Sequence, residues 1–292
     1  TNIVNYSLRD AGPDAWRWMF GLGAVPSALF LIGVFFLPES PRWLISRNRI
    51  DTARNTLLKI GNTMYADASV LAVKASLVDK HKPSYKDLFD KAVLPAVLIG
   101  IGLAAFQQFC GINVVFNFTA SIFETVGFSQ DDQLKQTVFI GIVNLVFTLL
   151  AMWQVDKLGR KPLMLFGATG LAILYIFSAI LLQQQSSMAA WVLLAAIGTY
   201  AMSLAPVTWV LISEIFPNKV RGIATSAAVV ALWISYALLV FTFPILAEKT
   251  GAYTPFYIYA GICVIGVFCI VFKVKETKGK TLEQVEASFA AH

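Results

Sequence analysis

With Asp, Glu, Lys and Arg taken as punctuation, the chain divides into long uncharged tracts separated by short charged ones. Six uncharged runs stand out, at residues 18–38, 92–123, 136–155, 162–213, 222–247 and 250–272, with lengths of 21, 32, 20, 52, 26 and 23 residues. A helix needs about 20 apolar residues to cross the hydrocarbon of a bilayer. The run of 52 therefore predicts two helices folded back through the polar tip Gln183-Gln184-Gln185-Ser186-Ser187. The pattern predicts seven transmembrane helices. Strands of a membrane barrel would be about 10 residues long with dyad alternation, which these tracts lack.

Between the first and second spans lie some fifty residues, 39–91, with no apolar run long enough to cross. Leu57, Leu58 and Ile60, then Val70, Leu71, Val73 and Leu77, sit among Lys and Asp at roughly helical spacing, which predicts a small insert of amphipathic helices. The six later spans divide into three and three. Pro162 and Pro244 are expected at span ends, whereas Pro206 falls within the fifth span.

Composition fits this reading: 57% of the 292 residues are hydrophobic and only 14% charged, against roughly 25% charged in a soluble domain. If residues 39–91 are inside and the sides alternate, nineteen Lys and Arg fall inside and four, Arg9, Arg17, Lys135 and Lys249, fall outside. This is the bias of cytoplasmic loops. The net charge of +6 is thus read as topology and attraction to anionic lipid headgroups, not as nucleic-acid binding. The first residue then lies outside, with no initiating Met, and the chain reads as one missing its start. Cys110, Cys263 and Cys269 all lie in apolar runs and are expected to be small buried hydrophobes, with no metal-ligand spacing.

Transporters built from inverted three-helix units often bind substrate where a helix in each unit is interrupted near the midplane. Two such interruptions are visible: Gln107-Gln108-Phe109-Cys110-Gly111-Ile112-Asn113 in the second span, and Ser203-Leu204-Ala205-Pro206-Val207-Thr208-Trp209 in the fifth. At about 100° per residue, Gln107 sits at about 0°, Gln108 at about 100°, Asn113 at about 240° and Asn117 at about 280°. An unbroken helix cannot turn all four amides toward one cavity. A bend or unwinding at Gly111 is expected, so that both groups share a water-filled space.

Single Ser or Thr residues such as Thr148, Thr225 and Ser226 are read as interhelix adhesion, worth about 0.6 to 2 kcal/mol each. Four amides within eleven residues, with Asn144 in the next span, exceed that need. A carboxamide carries donor and acceptor on one flat group and suits adjacent hydroxyls. Trp209 and Trp233 lie deep in their spans, where an indole can serve as a platform for the C–H face of a sugar ring. No charged residue interrupts any of the tracts, which leaves this part no counter-ion for an ionised ligand and no proton relay, so any coupling residues lie elsewhere. The ligand expected is neutral and hydroxylated.

Five strings in order resemble the sugar porter family of the major facilitator superfamily: Pro38-Glu39-Ser40-Pro41-Arg42-Trp43-Leu44, the Gln107 to Asn113 string, Asp156-Lys157-Leu158-Gly159-Arg160-Lys161, Ser213-Glu214-Ile215-Phe216-Pro217 with Arg221-Gly222, and Glu276-Thr277-Lys278-Gly279-Lys280-Thr281. The resemblance implies an all-α membrane protein of the major facilitator superfamily, seven transmembrane helices of a twelve-helix fold. Its parts would be an extracellular segment (1–15), family helix 6 (16–37), a cytoplasmic helical insert (38–91), a six-helix C-terminal half (92–273) and a cytoplasmic tail (274–292). The partner implied for that half is the missing N-terminal half of the same carrier. Carried over by position, the substrate-binding set is Gln107, Gln108, Asn113, Asn144, Trp209 and Trp233. Asn117, Phe118, Pro206 and Tyr236 are further substrate or gate positions. Asp156, Arg160, Glu214 and Arg221 are the cytoplasmic gating charges, expected to form interhelix ion pairs. The chain departs from the family pattern at Asn117-Phe118, where paired tyrosines are common, at Leu232, where relatives place Asn or Gln, and at Lys275, where the motif has Pro.

The function implied is secondary transport of a neutral monosaccharide by alternating access across the cell inner membrane, as proton-coupled symport with the C-terminus cytoplasmic. No cofactor, metal or nucleic acid is expected. Facilitative uniport and a non-transporting sugar receptor of the same fold are the alternatives. An intramembrane enzyme is disfavoured, since His81 and His292 both lie outside the spans.

Overall fold

The computed structural model describes residues 2–8, 12, 14–78, 84–127, 130–217, 219–280 and 284–285. Among these residues the chain is helical throughout, with no strand, and seven stretches are long and apolar enough to cross a membrane. Two compact units are present.

The first unit contains α1 (Asn2–Leu8), α2 (Ala15–Gly21), α3 (Ala24–Phe35), α4 (Pro41–Ser46), α5 (Ile50–Leu58) and α6 (Thr63–Val78). Leu22 and Gly23 between α2 and α3 keep right-handed helical angles, so the pair reads as one span, Ala15–Phe35. No residue of α3 is buried within the chain, as expected of a helix whose solvent is lipid. The insert has its own core of Leu44, Ile45, Ala53, Leu57, Ala66 and Val70. Leu57 and Val70 turn inward as the spacing predicts, while Ile60 and Leu71 are exposed. An exposed Arg54–Asp67 pair joins α5 to α6.

The second unit opens on a short 3₁₀ turn, Tyr85–Phe89, closed by a reciprocal cap between Ser84 and Asp87. It continues with α7 (Leu94–Phe109), α8 (Ile112–Glu124), α9 (Gln130–Leu158), α10 (Arg160–Gln183), α11 (Met188–Met202), α12 (Leu204–Ile215), α13 (Arg221–Thr250) and α14 (Thr254–Lys273). Six spans result from eight helices, because α7 with α8 and α11 with α12 are single spans broken midway, Leu94–Glu124 and Met188–Ile215. The best-packed neighbours are α10 with α14 and α11, and α13 with α7, with α9 lying on α11. Small residues make this close approach possible. The ring of Phe106 on α7 fills the place a side chain would take at Gly266 on α14, and Ser203 does the same at Gly167 on α10.

Pro244 lies inside α13, which runs on to Thr250. The expectation that it marks a span end is corrected here. Pro244 removes one N–H bond, but stopping the helix there would leave a whole turn of backbone groups unpaired in a medium without water. Pro162 does open a helix, at the third residue of α10. Of the three cysteines, Cys110 and Cys263 are buried as expected, and Cys269 is exposed.

The break between α7 and α8 is Gly111, whose φ of +86° is a left-handed conformation that disfavours any residue with a Cβ. A Cβ there would also come within 2.4 Å of the Tyr259 ring. Gly111→Ala is expected to destabilise the chain by about 2–4 kcal/mol through the combined conformational and steric cost. Thermal unfolding in detergent checks this, and an unchanged midpoint would show that the break tolerates a side chain.

Candidate functional site

The two interrupted spans meet through amides. At the first break, the Cys110 N–H still reaches the Phe106 carbonyl (2.9 Å), the Gly111 N–H turns back to the Gln108 carbonyl (3.0 Å) and the Cys110 thiol donates to the Gln107 carbonyl (2.9 Å). The left-handed residue then restarts the helix with a new phase. Asn113, which an unbroken helix would turn about 140° away from Gln108, donates to the Gln108 side-chain oxygen. Gln108 Nε2 in turn donates to Gln107 Oε1 (3.2 Å), and Gln107 Nε2 to the backbone carbonyl of Ala205 (3.5 Å).

Ala205 belongs to the second break. There α11 stops at Met202 and α12 begins at Leu204, with Ser203 between them outside helical angles (φ −128°, ψ −87°). Pro206 accounts for the position: it cannot donate to the carbonyl of Met202 four residues back, and its ring would collide with that group. The Ser203 hydroxyl bonds to the Thr199 carbonyl (2.5 Å) and that of Thr208 to the Leu204 carbonyl (2.8 Å), so polar side chains fold back onto their own helices. A line of three carboxamides thus runs from one broken span to the other. Gln107 and Gln108 are 3% and 6% exposed, and Asn113 is half-buried.

Asn117 lies apart from that line. Its Nδ2 donates to Tyr236 Oη on α13 (2.9 Å), and Tyr236 meets the Trp233 ring edge-on at 5.7 Å. Phe118, at a local kink in α8, stacks on Phe243 at 4.8 Å. Trp233 is 60% and Trp209 46% exposed within the chain, whereas the neighbouring Leu232 is buried in the core. Asn144 is half-buried on α9, and its backbone carbonyl accepts from Thr148 (2.6 Å). Its side chain is not part of the amide line. The structure therefore brings together Gln107, Gln108, Asn113 and the Pro206 break, and in a second cluster Asn117, Tyr236 and Trp233.

The charged residues gather at the Lys-rich end. Arg160, the first residue of α10, pairs with Glu214 near the end of α12 (Nη2 to Oε1, 3.0 Å). The Thr277 hydroxyl donates to the other Glu214 oxygen at 2.6 Å. Arg221 donates to the backbone carbonyl of Phe216, twice at 3.1 Å. This contact clasps the α12–α13 turn. The side chain of Asp156 lies outside the described residues, as do His81 and His292.

Glu276 opens one of the five motif strings, but motif reading assigned it no role. One carboxylate oxygen accepts from the backbone N–H groups of Arg160, Thr277 and Lys278, and the other from that of Lys161, all at 2.9–3.0 Å. It caps α10, whose own first turn has no acidic residue, and a helix N-terminus favours an anion. The two positions are 116 residues apart, so no local spacing could reveal the contact. The uncapped start Gly159-Arg160-Lys161-Pro162 was the available signal. Partial burial pushes the Glu276 carboxyl up, but its four backbone donors outweigh that and hold it below the usual carboxylate value. Among the described residues, no three of His, Cys, Asp or Glu converge on a metal-sized site.

Residues 1–289 match the family described as Sugar (and other) transporter. The chain is 40% identical to the D-xylose-proton symporter of Escherichia coli strain K12 over 300 residues, covering 97% of this chain and 60% of that protein. It is 37% identical to the glucose transport protein of Synechocystis over 290 residues, 94% of this chain and 62% of that one. Among solved structures, a proton:xylose symporter of the major facilitator superfamily bound to 6-bromo-6-deoxy-D-glucose aligns with a TM-score of 0.85 at 38% identity, covering 98% of this chain and 63% of that one. The chain spans about three-fifths of the length of these relatives.

Two outcomes follow from the geometry. Gln108→Ala strands Gln107 Oε1 and Asn113 Nδ2 together, and is expected to cost about 1–3 kcal/mol, read as a lowered thermal midpoint. Glu276 has a depressed carboxyl, so its contribution is whole above about pH 4.5 and is lost as pH falls through the lower folded value. Glu276→Gln should lower stability at pH 7 by about 1 kcal/mol and flatten the acid limb of a midpoint-against-pH curve. An acid limb identical to that of the parent would remove Glu276 from the account.

Proposed function

Because the chain belongs to the sugar (and other) transporter family of the major facilitator superfamily, we propose that it forms the larger part of a secondary carrier for a neutral monosaccharide, working by alternating access with protons as the coupling ion. The observation that carries this reading is the line of amides from Asn113 through Gln108 and Gln107 to Ala205, at the point where both interrupted spans meet. It is a flat array of donors and acceptors with no ionised group in it, suited to adjacent hydroxyls. Trp209 and Trp233, both partly exposed, supply apolar faces for a sugar ring. Asn144, and Asn117 with Tyr236, are assigned to the same cavity wall or its gate.

The protein is a multi-pass membrane protein, and we place it in the cell inner membrane with the Lys-rich end and the C-terminal tail in the cytoplasm. There, Arg160–Glu214, Thr277 and Glu276 tie the ends of α10, α12 and the segment after α14 together. In this reading they form a latch that loosens when the cavity opens inward. Proton coupling is supported by the similarity to the D-xylose-proton symporter of Escherichia coli.

Uptake of labelled hexoses and pentoses by the complete gene product in proteoliposomes, with and without a pH gradient, tests the reading. A neutral sugar should be taken up, faster under an inwardly directed proton gradient. Gln108→Ala should weaken sugar binding at least tenfold, and Glu214→Gln should slow transport while leaving binding measurable. Preferential uptake of an ionised metabolite, or full transport by the Gln108 variant, would overturn it.

A further inference from the structure

On the far side of α7 from the amides, a groove of about 830 Å³ runs between α7 and α14. Its walls are hydrocarbon, including Leu98, Phe106, Ile262 and Ile265, and Gly102 leaves a gap in one of them. One end is different. Lys91 before α7 and Lys273 at the end of α14 both line it, and no acidic residue does. Asp90, the nearest acid in sequence, turns its carboxylate to the Ala92 N–H as a local cap (3.2 Å). Leu98 and Ile265 are 60% and 64% exposed, so the groove is open along its side and not an enclosed cavity.

Three features identify the occupant. The wall from Ile262 to Lys273 rises about 16 Å at 1.5 Å per residue, close to half of the ~30 Å hydrocarbon thickness. A slot of that length with a charged mouth matches one acyl chain and its headgroup in a single leaflet. Two ammonium groups at one mouth repel each other unless an anion lies between them. Apart from Lys91, Lys273 and Cys269 the lining is apolar, and Gln107 and Gln108 are absent from it.

We propose that this groove is a binding site for an anionic phospholipid, with an acyl chain along α7 and α14 and the phosphate between Lys91 and Lys273. Its placement in the cytoplasmic leaflet rests on the orientation proposed above; its preference for an anionic headgroup does not.

The test is native mass spectrometry of the delipidated full chain in neutral detergent, titrated with phosphatidylglycerol or with phosphatidylcholine of the same acyl chains. Phosphatidylglycerol should be retained at least fivefold better, and Lys91→Gln and Lys273→Gln should each reduce that preference about fivefold. A Cβ at Gly102 would meet nothing within 4 Å, so Gly102→Leu should fill the slot without a clash and reduce retention of both lipids. A phosphatidylglycerol carrying a photoreactive acyl chain should label peptides of residues 94–109 and 262–273, and excess unlabelled lipid should suppress this. Equal retention of the two lipids, a preference unchanged in the double lysine variant, or labelling spread evenly over α9 and α13 would overturn the proposal. If Gly102→Leu fails to fold, the lysine variants and the labelling map still decide. Since the readout is lipid retention, a failure of sugar uptake leaves this result standing, and the reverse also holds.

Discussion

A bilayer interior offers no hydrogen-bond partner to a backbone group that loses its own, and this constraint explains most of what the second unit does with its polar residues. Two of its six spans are interrupted, at Gly111 and at Ser203, and each interruption releases N–H and carbonyl groups that must be met locally. The Cys110 thiol and the Gly111 N–H meet the last carbonyls of α7, and the Ser203 and Thr208 hydroxyls fold onto theirs. The amides then bridge the gap. Gln107 reaches a carbonyl just past the second break, so repair of one helix is tied to the state of the other.

The two ends of the unit solve different problems with different chemistry. Midway across, every described tie is neutral, as a low-dielectric setting requires when no counter-charge is at hand. At the Lys-rich end, where water is available, the ties are ionic: Arg160 to Glu214, and Glu276 to four backbone donors. The Arg160 and Glu214 side chains are only 12% and 23% exposed, so the proposed latch opens only as water or new partners reach both charges. The backbone cap at Glu276 adds geometric precision that a pair of flexible side chains lacks.

The spans were legible because lipid imposes a length on them, and charge punctuation marks that length directly. The break at Gly111 was legible for a related reason: Gln108 and Asn113, about 140° apart on an unbroken helix, meet only because the helix changes phase, whereas Asn117, the fourth amide, lies apart from them. Proline was a less certain guide. Pro206 ends a helix and Pro244 does not, because a missing N–H in lipid can cost less than stopping the helix. The sequence also could not reveal contacts between distant segments. Glu276 capping α10 and Phe106 against Gly266 join positions whose separation bears no helical period. Leu232 and Trp233 are neighbours in sequence, yet one is buried and the other open, which depends on how α13 is rotated against its partners.

Each amide of the line already commits one N–H to a neighbour, and Gln107 and Gln108 also use their side-chain oxygens as acceptors. A guest molecule arriving there exchanges some of these partners, so part of its gain is only the difference between two sets of contacts of similar strength. Such an exchange confers selectivity by shape with little residence time. In the carrier proposed above, which would release its cargo on the opposite side within each cycle, grip of that modest depth is an asset, and the pairing of Gln107, Gln108 and Asn113 builds it into the protein.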